Sequence, residues 1–277
     1  MYFGKKLLKA TVLVVLLFTV VVFAQDEGKV IQNMAGGSVD WSDQTIMATG
    51  IGTPNPKLSP AQQRTSALTA ARIDAYRRLL EIIKGVNLTA ETVVNNSMVE
   101  SDVIRMTVEG TLRGFRQVGP PRYMDDGTVE LDVEVSLSGK ILGAVLPPTG
   151  SKQNEMESKD IPSNPSGSYT GMIVDCRGLG VQYALAPRLL DESGEEVYGP
   201  DWVDRDVATE KGIVQYGTDE SQFKDRVGDN PFRVKGLRAA GTNNCDVVIS
   251  NADATVLSST DENLKFMDQC KVAFLVD

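Results

Sequence analysis

The chain contains no histidine. That removes the Ser-His-Asp and Cys-His nucleophile systems, and every zinc site that needs an imidazole. Carboxylate, serine, lysine and cysteine chemistry remains. Ser221-Gln222-Phe223-Lys224 has the spacing of an acyl-transfer serine with a lysine one turn later, but the companion S-D-N and K-T-G patterns are absent. An exposed amphipathic turn explains the match more simply. Gly178-Leu179-Gly180 lacks the third glycine of a dinucleotide loop and reads as a tight turn. Asp201, Asp204 and Asp206 lack the glycine and distal glutamate of a calcium loop. They fit a helix N-terminus, where carboxylates complement the dipole.

Glu192, Glu195 and Glu196 surround a turn and read as a solvated hairpin tip. Trp41, Trp202 and Tyr198 form either an aromatic ligand platform or core packing, and packing is the simpler account. A carboxylate-based hydrolytic site, if present, draws on Asp175, Asp246 or Asp253. These fall at or beside strand ends, where α/β folds place ligands. The competing account is that they cap helices and turns. On this basis no catalytic, cofactor-binding or metal residue is assigned, and no cofactor is expected.

The elements that would have to position such residues begin after an export signal. Lys5, Lys6 and Lys9 form a basic start, Ala10 to Phe23 is apolar, and Val22-Phe23-Ala24 offers small residues for cleavage after Ala24. The apolar stretch is shorter than the ~20 residues of a membrane span, although an uncleaved anchor is the alternative. Gln25 stands where a lipoprotein carries its cysteine, so the expectation is an unlipidated periplasmic or envelope-associated protein. The chain has 277 residues and a net charge of −9, and the leader holds three lysines and no acid. The remainder is therefore more acidic still, which argues against nucleic acid and anionic lipid as partners. Single basic patches stay open, for example Arg113, Arg116 and Arg122. Cys176, Cys245 and Cys270 allow either one disulfide with a thiol left over, or three buried thiols.

Residues 147–168, PPTGSKQNEMESKDIPSNPSGS, are too polar to bury a core and read as a linker. Two blocks follow from it, residues 39–146 and 169–277, with 25–38 a loose lead-in. In the first, Ser59 and Pro60 open a long helix that Lys84 and Gly85 close. Ala61, Leu68, Ala71, Ala75, Leu79 and Ile82 form its apolar stripe. Val86 to Val94 and Thr111 to Tyr123 read as strands, with a short helix over Ser101 to Glu109. Thr128 to Leu137 alternates Val129, Leu131, Val133 and Val135 against Glu130, Asp132 and Glu134, the pattern of a half-buried strand. The fold class is thus α+β: a long helix packed on an antiparallel sheet, followed by a second, mixed α/β domain.

Ala48-Thr49-Gly50-Ile51-Gly52, the Ala70-to-Leu80 helix segment, Ile83-Lys84-Gly85-Val86, Gly110-Thr111-Leu112-Arg113-Gly114 and the acidic strand Val129 to Val135 occur in this order. The set resembles the LPP20-like domain of bacterial envelope proteins over about residues 40–140. It is also similar to the N-terminal region of flagellar assembly protein T. The resemblance implies a structural protein of the envelope or flagellum without assigned catalytic residues. Expected partners are other envelope or flagellar proteins, and a homo-oligomer is compatible with it. The expected function is a non-enzymatic envelope or assembly component. The alternative is a periplasmic small-ligand or glycan-binding module acting through the second block.

Overall fold

The computed structural model describes residues 28–147, 169–258 and 261–277. The leader and nearly all of the linker lie outside these residues. The first domain comprises β1 (Ile31–Met34), β2 (Gly37–Asp40), β3 (Thr45–Gly52), α1 (Pro60–Gly85), α2 (Val94–Glu100), α3 (Asp102–Arg113), β4 (Arg116–Gln117), β5 (Arg122–Tyr123), β6 (Val129–Ser136) and α4 (Lys140–Val145). Its strands form one antiparallel sheet in the order β1-β2-β3-β6-β4, with β5 also on β6.

α1 begins as the sequence demands. Pro60 occupies the first turn, and the Gln62 side chain reaches back to the Ser59 N–H. Its buried stripe is Ala67, Ala71, Ala75, Leu79, Ile82 and Ile83. The small end of this stripe meets Gly50 and Gly52 of β3. A methyl on Gly50 would overlap the Ala71 carbonyl oxygen and Ala75, and one on Gly52 the Ala67 carbonyl oxygen. Two glycines against three alanines let helix and strand backbones touch, and the larger residues then fill the widening gap. Ala61 is exposed and Leu68 half-buried: Ala67 takes the buried position beside Gly52, and Leu68, about 100° further round the helix, packs against the margin of the core. Val129, Leu131, Val133 and Val135 of β6 face α1, and Glu130, Asp132 and Glu134 face outward.

The second domain comprises β7 (Gly171–Asp175), β8 (Leu189–Leu190), β9 (Glu196–Tyr198), α5 (Arg205–Lys211), β10 (Gln215–Gly217), α6 (Lys224–Val227), β11 (Pro231–Lys235), β12 (Arg238–Ala240), β13 (Asp246–Val248), α7 (Asn251–Leu257), α8 (Asp261–Asp268) and β14 (Val272–Leu275). A parallel sheet, β10-β14-β7-β11, forms its centre. The mixed sheet β12-β13-β8-β9 stands beside it. The protein is therefore α+β, with an antiparallel domain and a mixed one.

Several expectations are corrected. Part of the lead-in, residues 31–40, is the hairpin β1–β2, closed by Ala35 and Gly36, the latter at φ 92°. Residues 86–94 are no strand of the first sheet. Their carbonyls instead accept from the second domain, Leu185 N to Asn87 O at 3.0 Å and Ala186 N to Leu88 O at 2.8 Å. Residues 111–113 continue α3, because Val108 and Leu112 complete its buried face. In the second domain, residues 231–240 form two strands, β11 and β12, divided at Gly236. A side chain at Gly236 would meet Leu179 and Val247.

The domains meet through one continuous core. Trp41 of the first packs on Tyr183 and Tyr216 of the second, with ring centroids 5.6 and 5.7 Å away. Arg205 donates to the Pro147, Gly143 and Leu146 carbonyls at the end of α4. A cation there compensates the helix dipole and satisfies carbonyls that α4 leaves open.

Candidate functional site

The three acids considered for catalysis stand on separate elements with separate partners. Asp175 ends β7 and takes both forks of Arg177, at 2.8 and 2.6 Å. Those hydrogen bonds hold its carboxyl below the ordinary carboxylate value. Asp246 opens β13 and is wholly buried. It accepts from the Arg188 backbone at 2.9 Å and from that residue's guanidinium at 2.9 and 2.5 Å. Burial pushes its carboxyl up despite the guanidinium against it. Asp253 lies in the first turn of α7, accepting from Ser250 Oγ at 2.7 Å and donating its own N–H back at 3.0 Å. Each acid thus performs an ion-pairing or capping task.

Ser221 and Lys224 line a shallow groove of about 300 Å³ between α6 and the edge strand β11, floored by Ile173, Val227 and Pro231. The Ser221 N–H donates to Asp219 at 2.8 Å, and Lys224 pairs with Asp229 at 3.6 Å. Glu220 and Arg233 close the rim at 3.0 Å. Gly178 and Gly180 have φ of 74° and 65°, as a tight turn requires. The Gly178 N–H is already taken by the Asp277 carboxylate at 2.9 Å. Asp204 caps α5 through the Val207 N–H. Among the described residues no group of three potential metal ligands converges.

The aromatic residues pack in or against the core: Trp41 and Tyr198 are buried, Trp202 is half-buried against it, and Tyr198 donates to the Ile213 carbonyl at 2.6 Å. Cys176, Cys245 and Cys270 are buried free thiols. Desolvation pushes Cys270 up to about 11 and Cys245 up to about 12. Two of the three arginines of the basic patch are paired where they lie, Arg116 with Glu134 and Arg122 with Glu130 and Asp132, and Arg113 sits over the Tyr76 ring.

The conspicuous surface feature is on the first domain. Val99 at the end of α2, and Val103 and Met106 of α3, are 77%, 69% and 63% exposed. Val103, Met106 and Gly110 follow one helical face, opposite buried Val108 and Leu112. A side chain at Gly110 would touch nothing. A mid-helix glycine costs about 0.5–1 kcal/mol, and no internal contact here requires it. The legible signal was that α3 carries two apolar sets, more than one buried face needs. Among the described residues no helix is long and apolar enough to cross a membrane.

The site features are those of a two-domain α+β protein whose acids are engaged structurally and whose first domain exposes apolar side chains. A family model described as Treponema pallidum Tp0624, second domain, matches residues 171–277. No curated protein matches the chain. The match names a different family from the LPP20-like one and falls on the other block, so the resemblance over 40–140, with its flagellar association, is corrected. The residues that carried it have a packing explanation. Glycines in a strand, alanines in a helix and an alternating acidic strand are what close helix-on-sheet packing requires.

Proposed function

We propose that this protein is a non-enzymatic structural or assembly component of a bacterial cell envelope, exported by the leader at residues 1–24. The observation that supports the reading is the apolar run Val99, Val103 and Met106, exposed beside an unconstrained Gly110. Exposed apolar side chains that run together on one face mark interaction surfaces. Two measurements test it. A panel of glycoside, ester and peptide substrates should show no turnover, and any turnover overturns the non-enzymatic reading. Val103→Glu with Met106→Glu should reduce retention in the envelope fraction while Tm stays unchanged. Full retention removes the assembly role from this face.

A second reading, a small-ligand module of the second domain, is favoured by the groove beside β11. It predicts a ligand-induced rise in Tm that Lys224→Glu abolishes.

A further inference from the structure

We infer that two copies of this protein join through β1, antiparallel, so that their six-stranded sheets become one continuous sheet about a two-fold axis at Gln32. The inference deepens the assembly reading, on which it rests, by naming a second copy as the partner.

The argument begins with how the molecule treats its sheet edges. An exposed edge strand presents unpaired N–H and C=O groups, and proteins blunt such edges with charge, proline, bulges or cover. Here β10 is covered: Ser42 donates to the Tyr216 carbonyl at 3.1 Å and Gln44 reaches the Val214 carbonyl. β11 starts at Pro231 and carries Arg233 and Lys235, and β12 starts at Arg238. β9 carries Glu196 and pairs with an irregularity at Leu189 and Leu190. The far edge of the first sheet is broken into the two-residue strands β4 and β5, with Gly119, Pro120 and Pro121 between them. β1 reads Ile-Gln-Asn-Met, with no charge and no proline, and its pairing with β2 runs without a bulge. Among the described strands it is the undefended edge.

The hydrogen-bond phase shows which groups are available. The Trp41 N–H donates to the Val30 carbonyl at 2.8 Å, and the register continues from Ile31 opposite Asp40 to Met34 opposite Gly37. Bonded and non-bonded pairs alternate along an antiparallel ladder. Gln32 and Met34 therefore bond to β2, and the N–H and C=O of Ile31 and Asn33 point to the open edge. Opposed residues must also share a face. Both conditions are met with Ile31 opposite Asn33 of the second copy, and Asn33 opposite its Ile31, which makes four backbone hydrogen bonds. Ile31 and Asn33 lie on the exposed sheet face, Ile31 being 46% exposed.

Charge selects a second copy over another strand. In this register Lys29 stands opposite Ala35, and within its own chain it is engaged by Asp40 and Asp43 at 3.5 and 3.0 Å. No like charges oppose, although the chain carries a net −9. Self-pairing through β11, β12 or β9 would bring Arg233 and Lys235, Arg238 or Glu196 against their own copies, which is destabilising. A four-residue ladder buries less than the 1,200 Å² or so of a stable interface, so the association should depend on concentration.

Sedimentation of the full chain over a concentration series tests this. The expected result is a monomer–dimer equilibrium. Asn33→Pro removes an N–H that has no partner in the monomer and is tolerated at a free edge. The two-fold axis doubles the loss, so it should weaken dimerisation about tenfold or more with Tm unchanged. Ile31→Lys, a substitution that leaves the backbone untouched, should weaken dimerisation as well. Mixing Ile31→Cys with Asn33→Cys should give a disulfide-linked dimer, since opposed Cα atoms ~5.5 Å apart suit the bond. A monomer at every concentration overturns the inference. So does a dimer that survives both Asn33→Pro and Ile31→Lys. In either case, envelope retention lost through Val103→Glu leaves the assembly reading standing, and unaffected retention removes both.

Discussion

Arg188 Nη2 lies 2.5 Å from Asp246 in the second domain and 2.9 Å from Glu91 in the first. One guanidinium thus compensates a fully buried carboxylate and ties the domains together at their junction. Removing it strands the carboxylate. Arg188→Met should cost about 3–5 kcal/mol near neutral pH, the usual cost of breaking a buried pair.

The pH dependence of that cost has a definite sign. Burial already holds the Asp246 carboxyl above its ordinary 3.8, and loss of Arg188 raises it further. A native pKa above the unfolded one means that the native state binds the proton more tightly. Stability from this site is then full below pH 3.8 or so and is lost as pH rises through the native pKa. The Tm deficit of Arg188→Met against wild type should therefore shrink on acidification from neutral pH. A deficit that stays constant or grows would contradict this.

Leu79 is wholly buried between α1 and the first sheet. Leu79→Ala should destabilise by about 2–5 kcal/mol through lost burial and a residual cavity. Denaturant midpoints at constant slope will measure it.

Gly52→Ala places a methyl group against the Ala67 carbonyl oxygen, which is backbone and cannot rotate away. α1 must lift from β3, at a cost of about 1–3 kcal/mol. Gly110→Ala, where a Cβ meets nothing, should instead stabilise by about 0.5–1 kcal/mol. Opposite signs at two glycines of one domain, read by thermal melts, are the expected outcome.

The three thiols are buried and protonated, with Cys245 pushed up to about 12 and Cys270 to about 11 by desolvation. A thiol-specific reagent at pH 8 should modify none of them in the native protein and all three in denaturant. Rapid native labelling of any one would place it at the surface.

A protease site inserted between residues 150 and 165 tests the shared core. The cut chain should elute as one species, because Arg205 grips the end of α4, Trp41 packs on Tyr183 and Tyr216, and Asn87 and Leu88 bond across the junction. Fragments that separate without denaturant would make the domains independent.

What the sequence by itself determined is local. Ser59, Pro60 and Gly85 bound α1, and Val129 to Val135 alternates as a strand with one wet face, since capping and periodicity act over a few residues. The absence of histidine likewise ruled out whole classes of chemistry before any fold was known. Tertiary structure decided the rest. Residues 86–94 looked like a strand of the first sheet, but their carbonyls found partners a hundred residues away at Leu185 and Ala186. Ile31 to Met34 has no alternation to betray it, and it is a strand because β2 offers a ladder. Asp246 resembled a catalytic acid at a strand end. Its ion pair with Arg188 and its burial, which no spacing encodes, came only from the fold. The same holds for Val103 and Met106. Nothing local distinguishes an apolar residue that meets the core from one that meets water, because burial depends on which helix face the rest of the chain covers.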